Sequence, residues 1–197
     1  MTGSIVTDAA LDLLFREART YRHWRDKPVS PILLEAVYDL AKMGPTSGNC
    51  SPMRVVFVVG PEAKARLRPC LSSGNVEQTM AAPATAIIAH DMDFPDLMPR
   101  LYRKEDARSW FSGKPDLIAE TAFRNGSLQG AYLIMAARAL GLDCGPMSGF
   151  NRAKTDKAFF EGQSWRSNFL INLGYGLEDT VGPRDERLDF DEACRIE

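Results

Sequence analysis

The sequence predicts an α+β fold: a small central mixed sheet surrounded by helices, in a single domain covering residues 1–197. Three observations carry this expectation. The short runs Arg54–Val59 (RVVFVV), Ala84–Ala89 (ATAIIA) and Asn168–Gly174 (NFLINLG) have the length and apolar content of buried strands. The segments around them place apolar residues at helical spacing, so helix outweighs strand. The chain also contains no repeat, linker or low-complexity tract, and 197 residues suit one sizeable core rather than two.

In chain order, Leu11, Leu14, Phe15 and Ala18 form the apolar stripe of a helix over 8–22. Ser30 followed by Pro31 is an N-cap and first-turn signal for a second helix, which turns Leu33, Val37, Leu40 and Ala41 inward and stops at Gly44-Pro45. The Arg54–Val59 strand reads as buried on both faces. Pro61 opens a helix of about ten residues, a brief helical piece follows near Val76–Ala81, and Ala84–Ala89 is the second strand. Residues 90–115 have no clear period and three prolines, which predicts a long loop. From Pro115 to Leu140 a helix returns; Ala122, Leu128, Tyr132, Leu133, Met135, Ala136 and Ala139 make it central and buried. Gly126 and Gly130 lie four apart within it and predict close packing against a neighbour, since glycine costs ~1 kcal/mol inside a helix. The third strand precedes a charged tail that ends in a short acidic helix.

Composition narrows the function. A formal net charge of -2 offers no electrostatic attraction to nucleic acid or anionic membrane. No apolar run reaches the roughly 20 residues of a membrane-spanning helix, and the N-terminus lacks the layout of a signal peptide. Cys50, Cys70, Cys144 and Cys194 are widely spaced, as expected for reduced thiols in a cytoplasmic protein. With only His23 and His90, a histidine-rich metal site is not expected. There is no GxSxG elbow, no GxxxxGK[ST] phosphate loop and no GxGxxG fingerprint.

What remains are loops of small residues, prolines and amides. Gly44–Pro52 (GPTSGNCSP) presents Thr46, Ser47 and Asn49 on a tightly turned backbone, and Gly141–Phe150 (GLDCGPMSGF) can present backbone N–H groups to a flat ligand. Taken singly, each fits a plain connecting turn equally well. Arg19, Arg22 and Arg25 close the first helix and Arg184 and Arg187 lie in the tail; they suit either a solvated surface or a shared phosphate clamp.

Taken together and in order, these blocks resemble the FMN-dependent nitroreductase superfamily over nearly the whole chain. The stretches GPTSGNCSP, LRPCLSSGN, DARSWF, ETAFRNGSLQGAYLI, ALGLDCGPMSGF and INLGYG are similar to its malonic semialdehyde reductase branch, which serves pyrimidine breakdown. The resemblance implies an interlocked homodimer with FMN at the subunit interface, NADH or NADPH as electron donor, and ping-pong hydride transfer that needs no catalytic side chain. It implies that Arg19 and Thr20 hold the FMN phosphate and ribityl chain and that Arg22 reaches toward the ring. Ser47 and Asn49 are laid against the flavin by the partner subunit, and Asn75 hydrogen-bonds it. Met147, Ser148 and Gly149 turn backbone N–H groups to N5 and O4, and Arg184 and Arg187 complete the phosphate contact. The departures are Ala18-Arg19-Thr20 for the usual Arg-Arg-Ser, Gln78 for a common lysine, and Ser51-Pro52-Met53 for Gln-Pro-Trp. Arg108, Trp110 and Phe111 suit a cap over the flavin, with Arg108 drawing a substrate carboxylate; a structural aromatic pair fits the same residues. A broad nitroaromatic or quinone reductase and a non-catalytic flavin-binding protein are the alternative functions.

Overall fold

A computed structural model describes residues 3–197. Helix α1 (Asp8–Leu11) is capped by Thr7, whose side chain accepts from the Ala10 N–H, and runs into one wider turn, Asp12–Arg16. It ends there and not at residue 22, because tertiary pairing claims the following residues. Thr20 bridges to Cys144, and the Tyr21 N–H donates to the Cys144 carbonyl at 3.0 Å. Helix α2 (Pro31–Ala41) starts as expected, with Ser30 accepting from the Leu33 N–H. It buries Leu34, Val37 and Ala41, while Leu40, expected inside, is exposed.

Strand β1 (Met53–Val58) leads to α3 (Pro61–Leu67), α4 (Ser73–Ala81) and β2 (Ala84–Asp91). Residues 90–115 are not a structureless loop. A 3-10 turn at Phe94–Leu97, helix α5 (Met98–Leu101) and a second turn at Ala107–Phe111 fold over a small core of Cys50, Phe94, Met98, Phe111 and Ala122. Helix α6 (Pro115–Ala139) is followed by β3 (Asp143–Met147), α7 (Arg152–Phe159), β4 (Trp165–Gly174) and, in the tail, α8 (Phe190–Ala193). Strand β3 and helix α7 have no counterpart in the sequence expectation. The first contains Gly145 and Pro146, and the second is mostly polar, so neither shows the expected apolar period.

The sheet order is β1-β2-β4-β3, antiparallel between all named strands; the parallel contact is the Thr20–Cys144 bridge. Strand β2 is buried along its whole length, whereas β1 lies at the edge and is half-exposed in its middle, not buried on both faces. Alternation on β2 sends Ile88 to a core shared with α2 and α6 and Ile87 to a second core against α3 and α7. Helix α6 lies close on the sheet: a Cβ on Gly126 would meet His90 Cβ at 3.0 Å, and one on Gly130 would meet Phe169 Cζ at 2.5 Å. The glycines are therefore packing positions. This helix is buried on one face only. Phe123, Leu128 and Tyr132 stay 44–48% exposed, as do Leu13 and Phe15 near the N-terminus and Leu188 and Phe190 in the tail to a greater degree. Large apolar side chains left exposed in such numbers are candidates for an interface.

Candidate functional site

The two ends of the chain are zipped together beside β3. The Arg25 N–H donates to the Tyr175 carbonyl, the Leu177 N–H to the His23 carbonyl, and Trp24 bridges to Gly176. This backbone pairing brings the arginines of both ends into one place. Arg19 Nη2 donates to the Gly182 carbonyl at 2.7 Å, and Arg184 Nη2 donates to the carbonyls of Arg16 at 2.7 Å and Ala18 at 2.9 Å. Each guanidinium has five N–H donors, so both retain donors for a ligand.

The result is a groove of about 670 Å³ walled by Arg19, Thr20, Arg22, Arg138, Arg184 and Arg187, with Asp185 as its one carboxylate. Five arginines against one aspartate, in a chain of net charge -2, concentrate positive potential there. Arg138, at the end of α6, was not anticipated; its Nη1 donates to the Leu14 carbonyl. A basic residue in the last turn of a long helix was the available signal.

Arg22 and His23 also line a second recess of about 320 Å³, beside Gly74 and Gln78 of α4. Trp24 ties this helix down, its Nε1 donating to the Gln78 carbonyl at 3.1 Å. On the same helix, Asn75 Nδ2 donates to the Gly149 carbonyl at 2.9 Å and Gln78 Nε2 to Asn75 Oδ1 at 2.6 Å. Asn75 is thereby joined to Met147-Ser148-Gly149. A Cβ at position 149 would strike the Asn75 amide, so the close approach requires glycine. The N–H groups of Ser148 and Gly149 donate to no protein acceptor among the described residues.

Ser47 and Asn49 lie elsewhere. Neither borders the arginine groove; Asn49 lines a larger cleft of about 1070 Å³ along the β1 edge and α2. Their loop is held from beneath by two buried amides of α6 that the sequence reading passed over. Asn125 Oδ1 accepts from the Ser47 N–H and Gln129 Oε1 from the Met53 N–H, both at 2.9 Å. Their signal was two amides four apart on an otherwise apolar helix face. The backbone is left-handed at Gly48, Asn49 and Ser51, with φ of 55°, 52° and 41°. For serine that conformation costs of order 1–3 kcal/mol, strain of the kind stored at functional loops.

Arg108 is exposed and paired with Asp96 at 2.7 Å. Trp110 packs on Tyr102 and beneath Gly48, while Phe111 is buried edge-on against Phe94. Trp110 therefore braces the Ser47–Asn49 loop from the side. Burial makes two of the cysteines poor nucleophiles, pushing the Cys50 thiol up to about 11 and Cys144 to about 12. Among the described residues no cluster of three or more His, Cys, Asp or Glu could hold a metal, and no helix is long and apolar enough to cross a membrane.

The family model for the nitroreductase family matches residues 15–175, most of the chain. The chain belongs to the nitroreductase family. A Burkholderia lata protein, provisionally named an NADH dehydrogenase/NAD(P)H nitroreductase, is 61% identical over 192 residues, 98% of each chain. A similarly named Stenotrophomonas maltophilia protein is 60% identical over 188 residues, 95% of this chain and 96% of its own. Among solved structures, a nitroreductase-type protein of Exiguobacterium sibiricum in complex with FMN superposes with a TM-score of 0.85 over the full length of both chains, at 19% identity. That likeness establishes the fold as the nitroreductase fold.

Proposed function

We propose that this nitroreductase is an FMN-dependent oxidoreductase that draws electrons from NADH or NADPH and works as a homodimer. The observation that carries the reading is the groove of five arginines built by both chain ends, a site for a multiply charged phosphate in an otherwise acidic protein. In this reading Arg19, Thr20, Arg184 and Arg187 hold the FMN phosphate and ribityl chain. Arg22, which borders both recesses, reaches toward the ring, and Asn75 hydrogen-bonds it. The unpaired N–H groups of Ser148 and Gly149 are the donors for N5 and O4. Glycine at position 149 leaves the Asn75 amide in place, where a side chain would displace it. When bound, the flavin supplies the two-electron chemistry and the protein supplies position and electrostatics.

A homodimer accounts for Ser47 and Asn49, neither of which borders the arginine groove of its own chain; Asn49 lines a different cleft. Laid against the flavin of the partner subunit, they complete its site. The exposed Phe123, Leu128 and Tyr132 of α6 and the Leu188 and Phe190 of the tail supply apolar surface for such an interface.

For the electron acceptor we favour malonic semialdehyde, reduced to 3-hydroxypropanoate, on the strength of the six sequence blocks shared with that branch. Arg108 is the cation we assign to the substrate carboxylate, with Trp110 and Phe111 shaping the loop that carries it. A broad NAD(P)H nitroreductase is the second reading, favoured by the names of the closely similar relatives. Comparing kcat/KM for malonic semialdehyde, a quinone and a nitroarene, with NADH and with NADPH, separates the two. The semialdehyde should lead by at least tenfold; equal values would favour the broad reductase. A chain that purifies yellow but is not bleached by either nicotinamide would be a flavin-binding protein without this activity.

A further inference from the structure

Lys64 is the lysine buried in the core among the described residues, 8% exposed. It sits on α3 and forms no ion pair among the described residues; its Nζ donates to the Thr79 carbonyl at 2.6 Å and to Thr85 Oγ1 at 2.9 Å. From there a directed chain of hydrogen bonds crosses the protein. Thr85 Oγ1 donates to Asn172 Oδ1 at 2.8 Å, Asn172 Nδ2 donates to Thr79 Oγ1 at 3.2 Å, and Thr79 Oγ1 meets Met147 Sδ at 3.5 Å. Thr79, Thr85 and Asn172 are all fully buried. The chain therefore links α3, β2, β4 and α4 and ends on the residue before Ser148 and Gly149. Thr79 also follows Gln78, which holds Asn75.

An unpaired buried cation is expensive, and an apolar residue of the same length would fold more readily. Its retention at the root of this chain calls for a role. We propose that Lys64 is a positioning residue of the flavin site: it fixes α4 against the Met147-Ser148-Gly149 loop and holds a positive charge behind that loop. The proposal rests on the FMN reading above. A cation on that side favours the reduced ring, which is the more negative form, over the oxidised one. The charged groups on the elements packed against it are Glu62 and Arg66 on its own helix, Glu77 on α4, His90 and Asp91 at the far end of β2, Arg166 at the start of β4 and those of α7. Burial alone lowers it, to about 8. Its charge is thus lost at mildly alkaline pH.

The test is the midpoint potential of bound FMN in the dimeric holoenzyme, measured from pH 6.5 to 9.5 for the wild type, Lys64→Met and Lys64→Arg. Lys64→Met should keep its FMN but lose at least tenfold of the preference for the reduced ring, about 30 mV lower for a two-electron couple. The wild type should show an extra drop in potential through pH 8 that Lys64→Met lacks, and Lys64→Arg should remove the drop while keeping the high potential. Amide exchange in apo-protein gives the structural half: Ser148–Phe150 and Gln78–Ala81 should open faster in Lys64→Met. Unchanged potential and unchanged exchange in Lys64→Met overturn the proposal and leave the FMN reading standing. If Lys64→Met does not fold, a wild-type potential without a drop near pH 8 overturns it instead. A wild type that takes up no FMN overturns the functional reading, and this proposal with it, before any variant is made.

Discussion

The arginine groove and the Ser47–Ser51 loop are held in opposite ways. The groove is a surface clasp, in which half-buried Arg19 and exposed Arg184 donate to carbonyls of the opposite chain end. The loop rests on Asn125 and Gln129, 1% and 3% exposed inside α6. Exposed bonds to carbonyls exchange readily with water and contribute little each, whereas a buried backbone N–H stripped of its acceptor costs the full desolvation of that group. The clasp can therefore be altered with little loss of stability, and its arginines are available to a ligand. The loop cannot be altered cheaply, which suits its part in the proposed homodimer, where it would have to be in shape before the subunits meet.

The largest expected effect separates the two regions most clearly. Replacing Arg184 and Arg187 together by Ala should weaken FMN binding by roughly 100-fold or more, since charge-assisted hydrogen bonds contribute about 1.5–3 kcal/mol each. Urea unfolding of the apo-protein should change by under about 1 kcal/mol. Fluorescence titration with FMN reads the first quantity. An FMN affinity within threefold of wild type would remove the arginines from the phosphate site.

Next in size is a pH effect that belongs to the buried framework alone. Lys64 falls to about 8 in the folded chain from its ordinary 10.5, so between these values the unfolded chain binds more protons. Stability of the wild type relative to Lys64→Met should therefore rise from pH 8 to 10.5, by about 3 kcal/mol. The comparison must be a difference, because the raised Cys50 and Cys144 thiols work in the other direction above their ordinary value of 9. A flat difference across that window would mean that Lys64 is not buried as a cation. Gln129→Leu should follow, at about 1–3 kcal/mol of stability in urea, from the orphaned Met53 N–H. Smallest is Arg108→Ala. Its ion pair with Asp96 is exposed, so unfolding should move by under about 0.5 kcal/mol. KM for malonic semialdehyde should nonetheless rise about tenfold with kcat little changed, and an unchanged KM would sink its role as the carboxylate partner.

The same contrast explains what could be read from the chain. Strands β2 and β4 announce themselves through the short apolar runs at their centres, Ala86–Ala89 and Phe169–Ile171, and α2 because Ser30 and Pro31 mark its start. Strand β3 does not, since Asp143-Cys-Gly-Pro-Met becomes a strand only by pairing with β4 and with Thr20. The first helix read too long because Leu14, Phe15 and Ala18 keep helical spacing, while residues 20–25 are drawn away by pairing with β3 and with the segment after β4. The exposed halves of α2 and α6 read as core for a different reason. Leu40, Leu128 and Tyr132 keep the helical apolar spacing but stay exposed; the proposed homodimer would cover them. Family resemblance supplied Arg19, Arg22, Arg184 and Arg187; the signals of Arg138, Asn125 and Gln129, a position in the last turn and a spacing of four, gain meaning only once the fold brings them to the groove and the loop, and Lys64 carries no local pattern at all.

The central claim is that FMN lies in a seam between two copies of this chain. Light scattering combined with flavin absorbance, followed through serial dilution, tests it most directly. The account predicts a particle of twice the 21.9 kDa chain mass carrying one FMN per chain, with flavin released as the dimer dissociates. A monomer that retains tightly bound FMN would contradict it.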